Sequence, residues 1–438
     1  MIEAGMSVAR INFSHSPGSA AEDLFLSVRA AAADAGVEIA ILADLAGPKV
    51  RLGALPGGEL MLVAGELVTL NGKEDGALGT TYERLGSDLE PDDRILLADG
   101  AAELRVLEAG ESVRARVVVG GKVRSGAGVN IPAERLSLPC IGPRDRSDLA
   151  TALELGADYV AQSFVRSSGD VEEMAALIEG RAGLVAKIET RSAVDDFDKI
   201  LQFVDAVMVA RGDLGVELPF EEIPLIQKDL ILRSLNHGVP TIVATQMLES
   251  MTSAPRPTRA EASDVANAVI DGADSIMLSA ETAIGSFPVE AAKAAVRIAA
   301  VADSRGNPAR PAPRLRRGES EDRAMAQAAT SLAQNGVVDA IACFTRSGAT
   351  ARLISAVRPE VPIYAFSPDV QVLRRLALFR SVLPRAYALP QELDSLAKTM
   401  ESRLRDEEGV QVGSSVLMIG SIEGGEGQID FFKIHRIH

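Results

Sequence analysis

The sequence predicts an α/β protein in which parallel strands form a barrel, a small β domain is inserted into that barrel, and a second α/β domain ends the chain. Two observations lead to this fold class. Short apolar runs alternate with helix-like segments, as buried parallel strands and their connecting helices do. Nearly every run also ends in a polar or charged residue, and the carboxyl ends of the strands are where such folds place their chemistry.

Seven apolar runs predict the strands of the barrel, at residues 8–13, 39–44, 159–164, 184–189, 206–210, 241–245 and 275–279. A TIM-type (β/α)8 barrel fits them better than an open sheet, and such a barrel has eight strands. Only residues 1–6 precede the first run, and they resemble the end of a helix. We therefore expect the barrel, residues 1–51 and 136–302, to lack its first strand in this chain.

Residues 52–135 differ in texture from the barrel segments. Pieces rich in β-branched and apolar residues, such as 67–70 and 113–119, are separated by Gly and Pro turn signals, which predicts an inserted small β-barrel domain, or lid. Residues 303–320 are rich in Pro and Arg and too broken for one helix, which predicts a linker. Helix and strand patterns alternate again over residues 321–438, which predicts the closing α/β domain.

Composition limits the class of protein. A chain of 438 residues is too long for one ordinary core, so we expect several domains. The formal net charge is -16, and acidic and basic residues are mixed along the chain. This pattern argues against nucleic acid and membrane partners. Cys140 and Cys343 lack the spacing of a zinc site or a disulfide framework. Without a signal peptide or a membrane-spanning stretch, the chain is expected in the cytoplasm.

Two carboxylates at strand ends indicate a metal site. Glu189 and Asp213 each end or follow a run, and on a barrel both would face the same mouth, where water and substrate would complete the coordination of Mg²⁺. The alternative is a pair of helix-capping acids. Lys187 alternates with Ile188 and so faces the same side of its strand as Glu189. Its alternative role is a structural salt bridge.

Further polar residues at strand ends indicate an anionic substrate. Arg10 and Arg51 end or follow two early runs, and two guanidinium groups at one mouth would suit a phosphoryl group, although surface arginines are the alternative. Residues 211–215 form a Gly-containing turn whose amides could face a carboxylate or phosphate. Thr245 ends another run and could take part in proton transfer or cap a helix.

A loop between a strand and a helix of the C-terminal domain could hold the phosphate of an effector, although many such loops are empty. Its residues are Thr345, Arg346, Ser347, Gly348 and Thr350.

Taken in order, the motifs resemble those of the pyruvate kinase family across almost the whole chain. The most specific segments are residues 187–189, 210–217, 244–251, 255–269 and 277–283. The resemblance implies transfer of the phosphoryl group from phosphoenolpyruvate to ADP, which gives pyruvate and ATP, with Mg²⁺ or Mn²⁺ as the cofactor. It also implies a homotetramer with contacts through the segment around residues 256–269 and the C-terminal domain.

The resemblance also assigns roles to individual residues. Lys187 would neutralise charge on the transferred phosphoryl group, which Arg10 and Arg51 would grip. Glu189 and Asp213 would hold Mg²⁺. The substrate carboxylate would be bound by Ala210, Arg211, Gly212 and Asp213, and the proton route to the enolate would pass Thr245 with Ser279 nearby.

The family's monovalent-cation site matches Asn12, Ser14, Asp44 and the carbonyl of Leu45. Potassium-dependent members have threonine in place of Leu45 and glutamate in place of Lys49. An ammonium group at Lys49 would supply the fixed positive charge that K⁺ otherwise provides. The chain therefore resembles the potassium-independent type, and we expect its activity to require Mg²⁺ or Mn²⁺ but no K⁺.

Two other functions stay open at this point. One is a degenerate paralogue that binds phosphoenolpyruvate or sugar phosphates and serves regulation or assembly. Ala127, which replaces a lysine that often reaches nucleotide phosphate in the family, and the absent first strand favour it. The other is a different Mg²⁺-enolate barrel enzyme, such as an aldolase, which would not explain the inserted and C-terminal domains.

Overall fold

A computed structural model of the chain describes residues 1–14, 18–71, 78–98, 100–132, 135–304, 321–387, 393–420, 429 and 431–438. Residues 305–320 of the predicted linker lie outside this set. The strands are β1 (Val8–Asn12), β2 (Ala40–Asp44), β3 (Glu59–Leu62), β4 (Leu67–Asn71), β5 (Arg94–Leu97), β6 (Ala102–Glu108), β7 (Ser112–Val119), β8 (Gly121–Arg124), β9 (Val129–Asn130), β10 (Tyr159–Gln162), β11 (Gly183–Ile188), β12 (Ala206–Ala210), β13 (Thr241–Ala244), β14 (Ser275–Ile276), β15 (Ala340–Phe344), β16 (Ile363–Ser367), β17 (Val382–Ala386), β18 (Ser415–Gly420) and β19 (Phe431–Arg436).

The helices alternate with these strands outside the inserted part. They are α1 (Ser19–Ala35), α2 (Leu85–Asp88), α3 (Pro143–Glu154), α4 (Ser168–Ile178), α5 (Arg191–Asp195), α6 (Phe197–Ile200), α7 (Arg211–Glu217), α8 (Ile223–His237), α9 (Arg259–Asp271), α10 (Ala280–Ala283), α11 (Pro288–Ser304), α12 (Glu321–Gln334), α13 (Ala349–Ala356), α14 (Val370–Leu376) and α15 (Leu393–Asp406).

Seven parallel strands form the sheet of the barrel, and each lies within or beside one of the seven predicted runs. Their order is β1-β2-β10-β11-β12-β13-β14, so β1 and β14 are the outer strands. Strands β2 and β12 are buried along their whole length, because outer helices cover one face and the packed interior fills the other. The predicted α/β barrel is therefore confirmed, and all carboxyl ends meet at one mouth.

Helix boundaries follow local capping chemistry. Thr258 and Glu261 form a reciprocal capping box at the start of α9: the Thr258 hydroxyl accepts from the Glu261 amide at 3.2 Å, and Glu261 accepts from the Thr258 amide at 2.8 Å. Gly272 ends the same helix with a φ of 119°, a conformation that glycine adopts without steric cost. These caps fix where α9 begins and ends.

The segment between β2 and β10 forms antiparallel sheets of its own. One pairs β3 with β8, and the other has the order β4-β7-β6-β5-β9. Buried and exposed residues alternate along β7, as expected for a strand with one face on an apolar core and one in water. This core runs from Val50 to Ile131 and stands beside the barrel mouth.

The C-terminal part contains a five-stranded sheet in the order β17-β16-β15-β18-β19, of which only the β18–β19 pair is antiparallel. Its apolar core is continuous with the inside of the barrel, where Leu42, Tyr159 and Met208 belong to the same buried cluster as Ile341 and Leu376. The hydroxyl group of Tyr159 donates to the carbonyl of Arg375 at 2.8 Å. No helix of the described residues has the length and apolar character needed to cross a bilayer.

Candidate active site

Three charged side chains from two separate strands meet at the barrel mouth. The Lys187 ammonium on β11 lies 3.2 Å from Asp44 Oδ1 at the end of β2 and 2.9 Å from Glu189 Oε1 directly after β11. The side chains of Asp44 and Glu189 are 2% and 1% exposed, and that of Lys187 is 12% exposed. The Lys187 side chain therefore keeps a small exposed fraction at the mouth, which suits a group that must meet an anionic substrate.

Arg10 adds a second cation to this cluster. From the neighbouring strand β1, its Nε and Nη2 atoms lie 2.7 and 2.6 Å from Asp44 Oδ2. Burial acts to raise the pKa of Asp44, but Lys187 and Arg10 outweigh it and hold that pKa below its usual value. Burial likewise acts to lower the pKa of Lys187, and the carboxylates of Asp44 and Glu189 outweigh it and raise that pKa. The carboxylate is thus kept ionised and the lysine is kept charged.

Glu189 has the features of a metal ligand. Its Oε2 atom accepts the Phe164 amide at 2.8 Å, whereas the buried Oε1 atom has only the ion-pair contact with Lys187 and no hydrogen bond of normal geometry. The pKa of Glu189 is raised overall. Burial and the charge of Asp213 raise this pKa by more than Lys187 lowers it. A buried carboxylate whose charge is disfavoured by a nearby Asp213, and whose Oε1 atom has no hydrogen bond of normal geometry, fits a divalent cation.

Asp213 lies in the first turn of α7, half-buried, and acts electrostatically on both Lys187 and Glu189. No three Asp, Glu, His or Cys side chains in the described part of the chain come together as a protein-only metal cage. Two protein carboxylates with water and substrate oxygens match this arrangement, as in sites that bind Mg²⁺ through one or two carboxylates.

Sequence analysis did not identify Ser163, which stands in the centre of the cluster. Its hydroxyl lies 2.7 Å from the Lys187 ammonium, 2.7 Å from the Leu45 carbonyl and 3.4 Å from Asp44 Oδ1. The available signal was position, because Ser163 follows directly after β10, as other site residues follow their strands.

Thr245 joins the ends of β12 and β13. Its hydroxyl accepts the Gly212 amide at 2.8 Å and donates to the Ala244 carbonyl at 2.6 Å. Thr245 and Gln246 have φ values of 66° and 54°, in the left-handed region that residues other than glycine rarely adopt. The conformation is most costly for the β-branched Thr245, and such strained positions cluster at functional sites. Part of the Ala210–Asp213 turn predicted to bind the substrate carboxylate is thus already bonded to Thr245.

Arg211 points away from an open anion site. Its guanidinium group contacts Asp264 Oδ1 at 2.7 Å, the Thr245 carbonyl at 2.7 Å and Met247 Sδ at 2.8 Å, and the side chain is 10% exposed. These contacts tie α7 to α9 and to the turn after β13. In this arrangement Arg211 stabilises the turns that form the mouth.

Ser279 also lies at the mouth, where it precedes α10. Its amide donates to Glu281 Oε2 at 2.7 Å, and Glu281 Oε1 accepts the Leu248 amide at 3.0 Å. Glu281 is 1% exposed and so forms a buried bridge between the turns after β13 and β14. Glu281 was not among the predicted site residues.

The residues predicted for the monovalent-cation site are close to Asp44 except for Lys49. Asn12 Oδ1 accepts the Ser14 amide at 3.0 Å, and the Leu45 carbonyl accepts the Ser163 hydroxyl. Lys49 is exposed, and no hydrogen bond or ion pair of its ammonium group occurs among the described residues. It lines an open cleft between the mouth and the inserted part, together with Val129, Ile131 and Phe164.

Arg51 lies where the chain passes from the barrel into the inserted part. Its guanidinium group donates to the Gly126 carbonyl at 3.0 Å, and its amide donates to Thr81 at 3.0 Å. Arg10 and Arg51, which are predicted to grip one phosphoryl group, have separate partners here: Arg10 contacts Asp44 and Arg51 contacts the Gly126 carbonyl.

The predicted effector loop connects β15 to α13. Thr345 Oγ1 accepts the Gly348 amide at 2.9 Å, and Gly348 has a φ of 85° as the helix begins. Thr345 and Thr350 are buried, whereas Arg346 and Ser347 are exposed. The loop is thus internally braced and presents one cation to solvent.

Comparisons with known proteins agree with this geometry. The family model for the barrel domain of pyruvate kinase matches residues 1–292, and the model for its alpha/beta domain matches residues 323–435. A pyruvate kinase from Mycobacterium tuberculosis (strain ATCC 25618 / H37Rv) is 39% identical over 450 residues, which cover 100% of this chain and 94% of that protein. Pyruvate kinase 2 from Synechocystis sp. is 38% identical over 453 residues, with 100% and 76% covered.

A solved structure shows the same fold. The crystal structure of a pyruvate kinase from Cryptosporidium parvum superimposes with a TM-score of 0.92 at 32% sequence identity, and the match covers 100% of this chain and 92% of that chain.

Proposed function

Because the chain belongs to the pyruvate kinase family and is a phosphotransferase, we propose that the cluster around Lys187 is where the phosphoryl group of phosphoenolpyruvate passes to ADP. The observation that carries this assignment is the ammonium of Lys187, held between Asp44 and Glu189 on a side chain that is 12% exposed. A fixed cation at that point stabilises the charge that develops on the transferred group, which is the main task of the protein in phosphoryl transfer.

Glu189 and Asp213 would hold Mg²⁺ or Mn²⁺, because one offers a buried oxygen without a hydrogen bond and the other stands in the first turn of α7. When bound there, the metal would balance negative charge on the phosphoryl oxygens and on the enolate. A Glu189→Gln variant should bind Mn²⁺ more weakly in a calorimetric titration, whatever its activity. Unchanged Mn²⁺ binding would remove Glu189 from the ligand set.

The other residues would bind and orient the substrate. The turn from Ala210 to Asp213 would seat the carboxylate, with Arg211 holding the turn through its contact with Asp264. Arg10 would face the phosphoryl group, and Arg51 would join it when the inserted part closes as a lid. In that closed state water is excluded and the charges act more strongly.

Protonation of the enolate would follow on the side of Thr245. Its hydroxyl is held by the Gly212 amide and can pass a proton directly or through water, with Ser279 in the same mouth. The positive φ of Thr245 supports this role, because such strain persists where the surrounding structure fixes it for function.

We further propose that turnover does not require K⁺. The oxygens of Asn12, Asp44 and Leu45 each accept a hydrogen bond from the chain, and Arg10 already places a cation against Asp44. Lys49 adds an ammonium group that has no partner among the described residues, at the edge of the mouth, where it would act on the bound substrate.

The experiment that tests these proposals is pyruvate formation from phosphoenolpyruvate and ADP with Mg²⁺. It is run in potassium-free buffer, then with added K⁺, Na⁺ or a large organic cation. Equal turnover in all four buffers supports both proposals. Turnover that appears only with K⁺ would support the proposed reaction and refute potassium independence. No turnover from a folded protein would refute the proposed reaction itself.

The loop from Thr345 to Thr350 would bind the phosphate of a sugar phosphate or nucleotide effector through the exposed Arg346. If so, the phosphoenolpyruvate saturation curve of the Arg346→Ala variant should no longer respond to that effector. Its rate without effector should be unchanged. An identical response in the variant would exclude this loop.

We also propose a cytoplasmic homotetramer with the domain limits 1–51 with 136–302, 52–135 and 321–438. Light scattering measures the mass of the assembly and so the number of subunits. Limited proteolysis tests the proposed domain boundaries. A monomer at micromolar concentration would exclude the tetramer.

A further inference from the structure

Ser163 bridges the two strands that carry the charged cluster. Asp44 ends β2 and Lys187 lies on β11, and β10 runs between these strands in the sheet. Ser163 follows β10 directly and is 2% exposed, so its side chain stands between the carboxylate and the ammonium. A hydroxyl group here can reach both sides at once.

The chemistry of the three groups fixes the direction of each hydrogen bond. An ammonium group has only donors, so the contact of 2.7 Å is a hydrogen bond from Lys187 to the Ser163 oxygen. The single hydroxyl proton is then left for one acceptor. The Leu45 carbonyl at 2.7 Å is a better acceptor position than Asp44 Oδ1 at 3.4 Å. Lys187, Ser163 and Leu45 therefore form one directed chain.

The surrounding backbone prevents Ser163 from moving aside. A Cβ atom at Gly47 would lie 2.9 Å from the Ser163 Cβ, so the segment after β2 packs directly against it. On the other side, the next residue, Phe164, has a φ of 54° and donates its amide to Glu189. Cys140 Sγ contacts the Phe164 carbonyl at 3.3 Å. The hydroxyl is thus held in place by contacts on both sides.

We infer that Ser163 is a positioning residue of the phosphoryl-transfer site, whose hydroxyl holds the Lys187 ammonium at a set point between Asp44 and Glu189. The inference rests on the proposed function, because it needs Lys187 to act on the phosphoryl group. Without the hydroxyl, the ammonium has only the two carboxylates to bind and is drawn toward them. A shift of about 1 Å in such a group can cost on the order of 10²-fold in rate.

The test compares purified full-length variants for kcat, for the KM of phosphoenolpyruvate and for thermal unfolding. Ser163→Ala removes the hydroxyl, and Ser163→Thr restores it. Ser167→Ala is the matched control, since Ser167 lies in the same loop but bonds to the start of α4 instead of the cluster. We expect kcat of Ser163→Ala to fall about 10- to 100-fold with the KM within about three-fold, and Ser163→Thr to recover most of the loss.

The outcomes separate this inference from the proposed function. A folded Ser163→Ala protein with the kcat of the wild type, or one that loses no more than Ser167→Ala, would overturn the positioning role while the reaction stands. If Ser163→Ala does not fold, Ser163→Cys carries the same test, because a thiol is similar in size but forms weaker hydrogen bonds. An inactive but folded wild type would overturn the proposed function and, with it, this inference.

Discussion

Arg358 and Asp274 form a two-pronged ion pair between the C-terminal part and the barrel, with Nη1 to Oδ1 at 2.7 Å and Nη2 to Oδ2 at 2.9 Å. Arg358 also donates to the Gly272 carbonyl at 2.9 Å, and Asp274 accepts the Thr241 amide at 3.0 Å. The two side chains are 11% and 4% exposed. The pair therefore fixes the C-terminal sheet to the amino-terminal side of β13 and β14.

Removal of one partner of this pair should destabilise the protein strongly. Arg358→Ala leaves the buried Asp274 carboxylate without its counter-ion, and we expect the free energy of unfolding to fall by about 3–5 kcal/mol. Arg114→Ala is the control, because its pair with Glu108 is exposed on both sides and should contribute less than about 1 kcal/mol. Urea unfolding measures both. Equal losses would mean that burial of the Arg358 pair has no energetic weight.

Lys187→Ala should abolish most of the phosphoryl transfer. The ammonium contacts both buried carboxylates, Asp44 and Glu189, and loss of one such electrostatic group costs on the order of 10³-fold in kcat. Circular dichroism must show a folded variant, since Asp44 and Glu189 lose a partner. Lys293→Ala, an exposed change on the outer helix α11, serves as the control. A Lys187→Ala protein with more than about a tenth of the wild-type kcat would contradict the assigned role.

Thr245→Val keeps the branched side chain and removes the hydroxyl that Gly212 donates to. We expect kcat to fall by about 10²-fold or more, as when a group on a proton route is lost, and the protein to lose about 1–3 kcal/mol because a backbone amide is left unpaired. Thr252→Val removes an exposed hydroxyl near the same mouth and should leave kcat unchanged. If the two variants have similar kcat values, Thr245 has no part in proton transfer.

Lys49→Glu should make turnover respond to K⁺. The exposed ammonium has no ion-pair partner among the described residues, so its reversal removes a positive charge from the edge of the mouth. In a medium of effective dielectric constant about 20, such a change amounts to on the order of 1–2 kcal/mol, or about ten-fold in kcat/KM. Added K⁺ should restore part of it. The same reversal at Lys293 should have no effect, and an identical K⁺ response of Lys49→Glu and wild type would refute the interpretation of Lys49.

Neither cysteine should react with iodoacetamide in the folded protein at pH 8. Burial raises the pKa of Cys140 to about 12 and also raises the pKa of Cys343, so almost no thiolate is present at that pH. Both thiols should react in urea, where ordinary pKa values return. Mass spectrometry counts the added groups, and rapid modification of Cys140 in the folded state would show that the loop beside Ser163 opens.

The positions of the barrel strands were predictable because each apolar run is bounded by polar residues, and buried strands need such runs. The strand predicted by the last run, 275–279, is shorter in the structure. It covers Ser275–Ile276, because the chain then leaves the sheet and begins α10 at Ala280. The proximity of Lys187 and Glu189 was also predictable, because alternate residues of a strand share a face.

The partners of these residues were not predictable from the pattern. Asp44 and Lys187 come from strands that are not neighbours, so their contact depends on the curvature and register of the sheet. Ser163 bridges them for the same reason and carries no motif of its own. Arg51 and Lys49 lie where the chain leaves the barrel for the inserted part, and their contacts depend on how that part is placed.

The apolar core that the barrel shares with the C-terminal sheet also bears on how the chain is made. Leu42, Tyr159 and Met208 belong to one buried cluster with residues as late as Leu417 and Ile419, so this cluster is complete only when β18 is present. A growing chain on the ribosome therefore carries an incomplete core until its last strands emerge. We expect a fragment that stops short of β18 to lack part of this core, and exposed apolar surface of that kind favours aggregation and binding by chaperones.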